Sequence, residues 1–225
     1  MKTYYIATAN DRFAKLWKNT EVTFDELINR LKTTTVTPET MGEFRNLPKS
    51  KQDNIKDVGG FVGGRLKNGI RQRDKVECRS LLTLDADYAT PDFCESIDLF
   101  ANYSYIIYST HKHTAEKPRL RLVIPLSRNC TAEEYEAVAR KIADEIGIDQ
   151  FDDTTYQPQR LMYWSSTSID GEYVFKYSVR NPLDVDGVLA RYNDWHNVNE
   201  WHFSSRTVKQ KDRLLKKQED PTTKK

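Results

Sequence analysis

Two carboxylates lie two residues apart at the end of an apolar run, Leu81-Leu82-Thr83-Leu84-Asp85-Ala86-Asp87. Side chains along a strand alternate faces with a period of two. Leu82, Leu84 and Ala86 therefore share one face, and Thr83, Asp85 and Asp87 share the other. Like charges at the end of a buried strand cost stability unless something cationic neutralises them. A divalent ion does this, and oxygen donors suit Mg²⁺ or Mn²⁺. Two such ions about 3.5–4 Å apart can clamp the attacking and leaving oxygens of a phosphoryl transfer. The plain alternative is a solvated turn that holds both aspartates.

A second block follows another apolar run. It reads Tyr105-Ile106-Ile107-Tyr108-Ser109-Thr110-His111-Lys112-His113-Thr114, then Lys117-Pro118-Arg119-Leu120-Arg121-Leu122-Val123. Period two puts Arg119, Arg121 and Val123 on one strand face, so two guanidiniums point one way. Planar guanidiniums grip phosphate oxygens, and His or Lys can contact a leaving pyrophosphate. Lys112 and Lys117 add charge. A solvent-exposed basic hairpin, with His113 a turn residue, is the plain reading. A third block, Phe151-Asp152-Asp153-Thr154-Thr155, offers Asp152 or Asp153 to complete a metal site, or to cap a turn. Arg160 could meet a phosphate or an acidic neighbour.

The elements that must position these groups can be read from periodicity and caps. Short or buried strands are expected over residues 4–8, 76–87, 105–108, 119–126, 160–164 and 173–179. Helices are expected over 24–31 after the N-cap Thr23, over 38–47, over 90–101, and over 184–195. Thr131 and Glu134 form a capping box for a helix that ends near Gly147. Gly59, Gly60, Gly63, Gly64 and Gly69 mark a loop or glycine-bearing hairpin with no Gly-Lys-Ser/Thr to make a Walker loop. Basic residues around it, Lys56, Arg65, Lys67, Arg71 and Arg73, suit a nucleic-acid backbone. Strands interspersed with helices give an α+β or mixed α/β class.

Length and composition agree with a folded body, since the 225 residues include 12 Tyr, 9 Phe and 4 Trp. The net charge is +2, yet residues 206–225 carry eight basic and three acidic side chains, +5, which leaves −3 for the rest. That suits a basic flexible tail or linker over 204–225. Cys78, Cys94 and Cys130 are widely spaced and form no CxxC pair, which argues against a zinc ribbon or disulfide framework. No signal peptide or membrane-spanning run is seen, so a soluble cytoplasmic protein with no membrane partner is expected.

Taken together, LTLDAD, STHKHT…RLRLVIPL and FDDTTYQPQRLMYW resemble motifs I, II and III of the archaeo-eukaryotic primase superfamily. Residues 37–76 are similar to the N-terminal primase part of phage and mobile-element proteins of the virulence-associated E type. The resemblance covers roughly residues 20–180. It implies an α+β fold, with an RRM-like catalytic core of mixed or antiparallel sheet and flanking helices over about 76–203. A smaller N-terminal α/β unit would occupy about 1–75. It implies that Asp85, Asp87 and Asp152 hold two Mg²⁺ or Mn²⁺ ions. Ser109 and His111 would contact the phosphates of an NTP or dNTP, with Lys117, Arg119, Arg121 and Arg160 assisting. The activity implied is template-dependent nucleotidyl transfer on a DNA template and primer, as a primase-polymerase in phage, plasmid or mobile-element replication, with a replicative helicase as a further partner. Two rivals stay open beside a Mg²⁺-dependent phosphodiesterase that would cleave DNA without needing nucleotides. One is a His-dependent rolling-circle nicking endonuclease using His111 and His113. The other is a non-catalytic nucleic-acid-binding replication adaptor.

Overall fold

Three helices start at a Thr whose hydroxyl accepts from the backbone of a Glu three residues on, while that Glu accepts from the Thr N–H: Thr23/Glu26, Thr40/Glu43 and Thr131/Glu134. A computed structural model describes residues 2–207, Lys211 and Leu215. Its strands are β1 (Thr3–Ala9), β2 (Lys18–Thr23), β3 (Thr35–Thr37), β4 (Gly60–Val62), β5 (Gly64–Leu66), β6 (Val76–Ala86), β7 (Tyr105–Ser109), β8 (Leu120–Cys130), β9 (Met162–Tyr163), β10 (Ser166–Ser168) and β11 (Phe175–Ser178). Its helices are α1 (Phe24–Lys32), α2 (Met41–Asn46), α3 (Lys49–Ile55), α4 (Phe93–Phe100), α5 (Ala132–Ile146) and α6 (Val185–Leu189). The class is α+β, as expected from the sequence.

The central sheet has the order β11-β7-β8-β6-β5, with every neighbouring pair antiparallel. A second antiparallel sheet runs β2-β1-β4-β9, and β3 pairs parallel with β10. One face of the central sheet (Leu82, Leu84, Leu122, Ile124, Ile107) packs on α4, α5 and α6 through Ile97, Val138, Ile142 and Val188. The other face (Leu81, Ile106, Tyr108, Val123) packs on β1 and α1 through Ile6, Leu27 and Leu31. The expected N-terminal unit is thus interleaved with the rest: β5 completes the central sheet, while β9 and β10 return to pair with β4 and β3.

The glycine stretch is neither the loop nor the hairpin expected. Gly60–Val62 and Gly64–Leu66 are strands, buried but for Arg65, and the chain crosses from one sheet to the other at Gly63. Glycine is needed there for close approach: a Cβ on Gly60 would lie 2.3 Å from the Met162 carbonyl oxygen, and one on Gly64 would lie 2.1 Å from that of Cys78. Four elements escaped the sequence reading, each for a physical reason. β2 is a polar edge strand, β3 and β10 are three residues each, and α3 buries none of its residues and so shows no apolar period. β8 extends to Cys130 and α6 stops at Leu189, against expected ends at 126 and 195.

The proposed tail boundary also shifts. The Ser204 hydroxyl donates to Asp153, and Arg206 donates to the Asp149 and Phe151 carbonyls, each at 2.8 Å. The chain is therefore held on the body through residue 206. Most of the Lys-rich remainder lies outside the described residues. The three cysteines are free. Among the described residues no helix is long and apolar enough to cross a membrane.

Because β4 and β9 lie too close for any side chain at residue 60, Gly60→Ala is expected to lower the unfolding free energy by about 2 kcal/mol or more. The urea midpoint reads this directly, and an unchanged midpoint contradicts the packing described.

Candidate active site

Strand register builds the site. In the antiparallel pair β6/β8, Asp85 faces Arg121, and in β7/β8, Arg121 faces Tyr108. Cross-strand neighbours on one face touch, so a row Asp85–Arg121–Tyr108 crosses three strands. Arg121 Nε lies 3.4 Å from Asp85 Oδ1, Nη1 donates to the Tyr163 carbonyl at 3.2 Å, and the guanidinium sits over the Tyr108 ring at 5.7 Å. The register continues one residue past both strand ends: Arg119 Nη1 donates to Asp87 Oδ1 at 2.8 Å. The two arginines expected to bind phosphate are thus each paired with one of the two strand-end aspartates.

The third carboxylate arrives by backbone pairing. β5 covers only the start of β6, so the Asp85 backbone is free further along. The Asp152 N–H donates to the Asp85 carbonyl at 2.8 Å, and the Asp85 N–H donates to the Thr155 hydroxyl at 2.8 Å. Asp152 then faces the same pocket as Asp85 and Asp87. Arg160 Nη2 donates to Asp152 Oδ2 at 2.8 Å, so Arg160 meets an acidic neighbour. Asp153 turns to Ser204 and Arg206. Buried Arg79 fixes this loop: it donates to the Gly63, Pro158 and Leu81 carbonyls and to Thr83 Oγ1.

Two expected phosphate contacts sit elsewhere. The Ser109 hydroxyl is buried and accepts from the Val174 N–H at 2.9 Å, and Lys117 is exposed in a turn; neither lines the pocket. His111 does line it, but both ring nitrogens are engaged, Nδ1 with Ser166 Oγ at 3.1 Å and Nε2 with Glu39 Oε1 at 3.0 Å. A phosphate must displace Glu39 to reach Nε2. Burial lowers the His111 pKa and Glu39 opposes this. A neutral ring that donates from Nε2 to Glu39 and accepts at Nδ1 from Ser166 satisfies both bonds. His113 Nδ1 accepts from the Arg119 N–H, so this ring shapes the turn that presents Arg119. The two histidines reach for different partners and make no His-x-His metal pair.

Burial pushes the Asp85 carboxyl up; the Arg121 charge opposes this, and Asp87 adds to it. Asp85 Oδ1 and Arg121 Nε are both buried without a hydrogen-bond partner. Among the described residues, no three His, Cys, Asp or Glu side chains converge closely enough to ligate an ion as they stand. Even so, the donor set fits a hard divalent ion. It is all carboxylate oxygen, one buried oxygen is unclaimed, and the arginine contacts can be exchanged for metal contacts.

Of the surrounding lysines, the sequence reading named Lys56 and Lys112 and missed Lys49. Lys49, Lys56 and Lys112 line the carboxylate pocket with Tyr163, Trp164 and Ser166. Lys49 and Lys56 are seven residues apart, two turns along one face of α3 and its C-cap, which was the available signal. A neighbouring cavity of about 650 Å³ shares Lys49, Lys56, Asp85, Arg160 and Tyr163 with this pocket. Arg71 and Arg73 line that cavity, while Arg65 pairs with Glu77 at 3.0 Å and, like Lys67, lines neither.

Mn²⁺ should raise the melting temperature of the wild type, by the equivalent of about 1.4 kcal/mol at ten times Kd. Asp85→Asn and Asp152→Asn should remove that dependence, and a Mn²⁺ response unchanged in both variants contradicts the assignment. A second expectation concerns acid. His111 and His113 are both lowered from 6.5 by burial, so the unfolded chain takes up protons first as pH falls. Their stabilising contribution is complete above about pH 6.5 and is lost below it. Melting temperature should therefore decline from about pH 7.5 to about pH 5.5, less steeply in His111→Gln. An identical decline in the variant assigns the loss to other groups.

No curated protein matches the chain. Among solved structures, the fold is similar to the AEP domain of the cyanophage S-2L primase-polymerase. The likeness has a TM-score of 0.46 at 13% identity and covers 84% of this chain and 87% of that one. The family model of the VapE N-terminal domain matches residues 2–204, and this chain belongs to that family.

Proposed function

We propose that the chain is a template-dependent nucleotidyltransferase, a primase-polymerase that joins NTPs or dNTPs on a DNA template and primer. The observation that carries this reading is the carboxylate pocket. Asp85, Asp87 and Asp152 line it together with Arg119, Arg121, Arg160, Lys49, Lys56 and Lys112. Carboxylates that can hold divalent ions, set among cations that can hold a triphosphate, are what phosphoryl transfer requires. The resemblance of the three sequence motifs to primases supports the same reading.

Asp85, Asp87 and Asp152 would hold Mg²⁺ or Mn²⁺, which when bound activates the attacking 3′-hydroxyl and stabilises the leaving pyrophosphate. Arg119 and Arg160 offer guanidiniums whose present partners, Asp87 and Asp152, the triphosphate oxygens can replace. Lys49, Lys56 and Lys112 raise the local positive potential that draws the nucleotide in. Arg121 stays bound to the Tyr163 carbonyl and orients Asp85. His111 reaches a phosphate only by giving up Glu39. A helicase partner fits the replication role.

A second reading is favoured by one observation: each of the three aspartates has an arginine beside it, and no ready metal cluster exists among the described residues. That arrangement suits a non-catalytic nucleic-acid-binding adaptor. Labelled nucleotides, a primed single-stranded template and Mg²⁺ or Mn²⁺ separate the two. The wild type should extend the primer according to template, and a folded Asp85→Asn/Asp87→Asn variant should not. DNA binding without extension by either protein establishes the adaptor.

A further inference from the structure

The larger cavity holds features that nucleotide addition does not use. Phe13 lines it and is 73% exposed, although its ring is large and apolar. The surrounding loop fixes that ring. The Phe13 N–H donates to Asp11 Oδ1 at 2.7 Å, and the Arg12 guanidinium lies over the ring at 4.3 Å. Arg12 is in turn clamped to α3 and its end: its N–H donates to Asp57 Oδ2 at 3.0 Å, Nη2 donates to Asn54 Oδ1 at 2.8 Å, and Nη1 donates to the Asp53 carbonyl. The aromatic surface is held out to solvent before any ligand arrives.

Two polar atoms on the same wall lack partners. Arg71 Nε and Gln159 Oε1 are buried and accept or donate no hydrogen bond. Arg71 has no carboxylate beside it among the described residues. Its guanidinium lies over Trp17 at 5.1 Å and makes only long bonds, 3.4 Å to the Gln159 carbonyl and 3.5 Å to the Arg12 carbonyl. The guanidinium sits in a desolvating site with Arg160 nearby. A cation so placed calls for an anion, and the cavity runs into the carboxylate pocket through shared Lys49, Lys56 and Arg160.

We infer that this cavity binds one single strand of nucleic acid, with a nucleobase stacked on Phe13 and a backbone phosphate on Arg71. Resting on the function proposed above, the inference specifies an unpaired strand and the residues that hold it. A flat exposed ring beside a basic groove is the combination that binds single strands without reading sequence, because every base has a stacking face. Base pairs in a duplex are stacked on each other and leave Phe13 nothing to hold.

The test is fluorescence anisotropy with the full chain, using a labelled dT oligonucleotide, the same strand with abasic sites, and a blunt duplex. Phe13→Ala should weaken binding of the intact single strand about tenfold and leave duplex binding and the salt slope unchanged. Phe13→Tyr should restore affinity. Abasic sites should weaken the wild type by a similar factor, with no further loss in Phe13→Ala. Arg71→Gln should reduce the salt slope. Equal binding of the intact strand by wild type and Phe13→Ala overturns the inference, as does a Phe13→Ala loss that persists in full on the abasic strand. Primer extension measured alongside keeps the two claims apart. Extension with no Phe13 effect overturns the strand site alone. The full Phe13 pattern without extension sustains the strand site and overturns nucleotidyl transfer. No single-strand binding by the wild type overturns the inference.

Discussion

The buried contact between Asp85 and Arg121 is the constraint around which the site is organised. Asp85 is 7% exposed and Arg121 is 7% exposed. Taking a lone carboxylate that far from water costs several kcal/mol unless an opposite charge comes with it. Antiparallel register supplies that charge, because β8 presents Arg121 directly across from Asp85. The same register places Arg119 beside Asp87. The loop after α5 repeats the solution with Asp152 and Arg160. Each acid therefore comes with its own neutralising arginine, and the pocket can exist without a bound ion.

That arrangement links stability to function. A buried pair held at 3.4 Å, with one oxygen and one nitrogen left unbonded, is a poor stabiliser. It is a good preparation for a ligand that offers cations to the acids and anions to the arginines together. A metal-bound triphosphate has that composition. The scaffold keeps the three blocks in place by other means: Arg79 ties the 158 loop to β6, the Tyr135 hydroxyl donates to the Thr83 carbonyl at 3.1 Å, and three capping boxes fix helix starts. The site can exchange partners without the sheet moving.

How much could be read from sequence followed from how local the signal was. The alternation of Leu82, Leu84 and Ala86 against Thr83 and Asp85 is a property of seven consecutive residues, and the two faces separate in the fold as the alternation demands. The α5 helix was equally plain, from Thr131 and Glu134 to Gly147 in the left-handed region at φ 119°. Nothing local says that Glu39 will meet His111 across 72 residues, or that the Ser109 hydroxyl will turn to Val174. Asp152 and Asp153 are separated only by the backbone bond that Asp152 makes to Asp85. Lys49 on α3 escaped notice because a helix with no buried residue carries no apolar period to betray it. The glycines signalled irregularity when their use was close packing between strands.

The central claim is that the arginine-paired aspartates are a divalent-ion site in waiting. A crystal structure of the protein with Mn²⁺ and a non-hydrolysable nucleoside triphosphate, with anomalous diffraction locating the manganese, tests it most directly. The account predicts anomalous peaks bonded to Asp85, Asp87 and Asp152, with Arg119 and Arg160 moved onto phosphate oxygens. Nucleotide bound with the three aspartates still paired to their arginines, and no manganese among them, would contradict it.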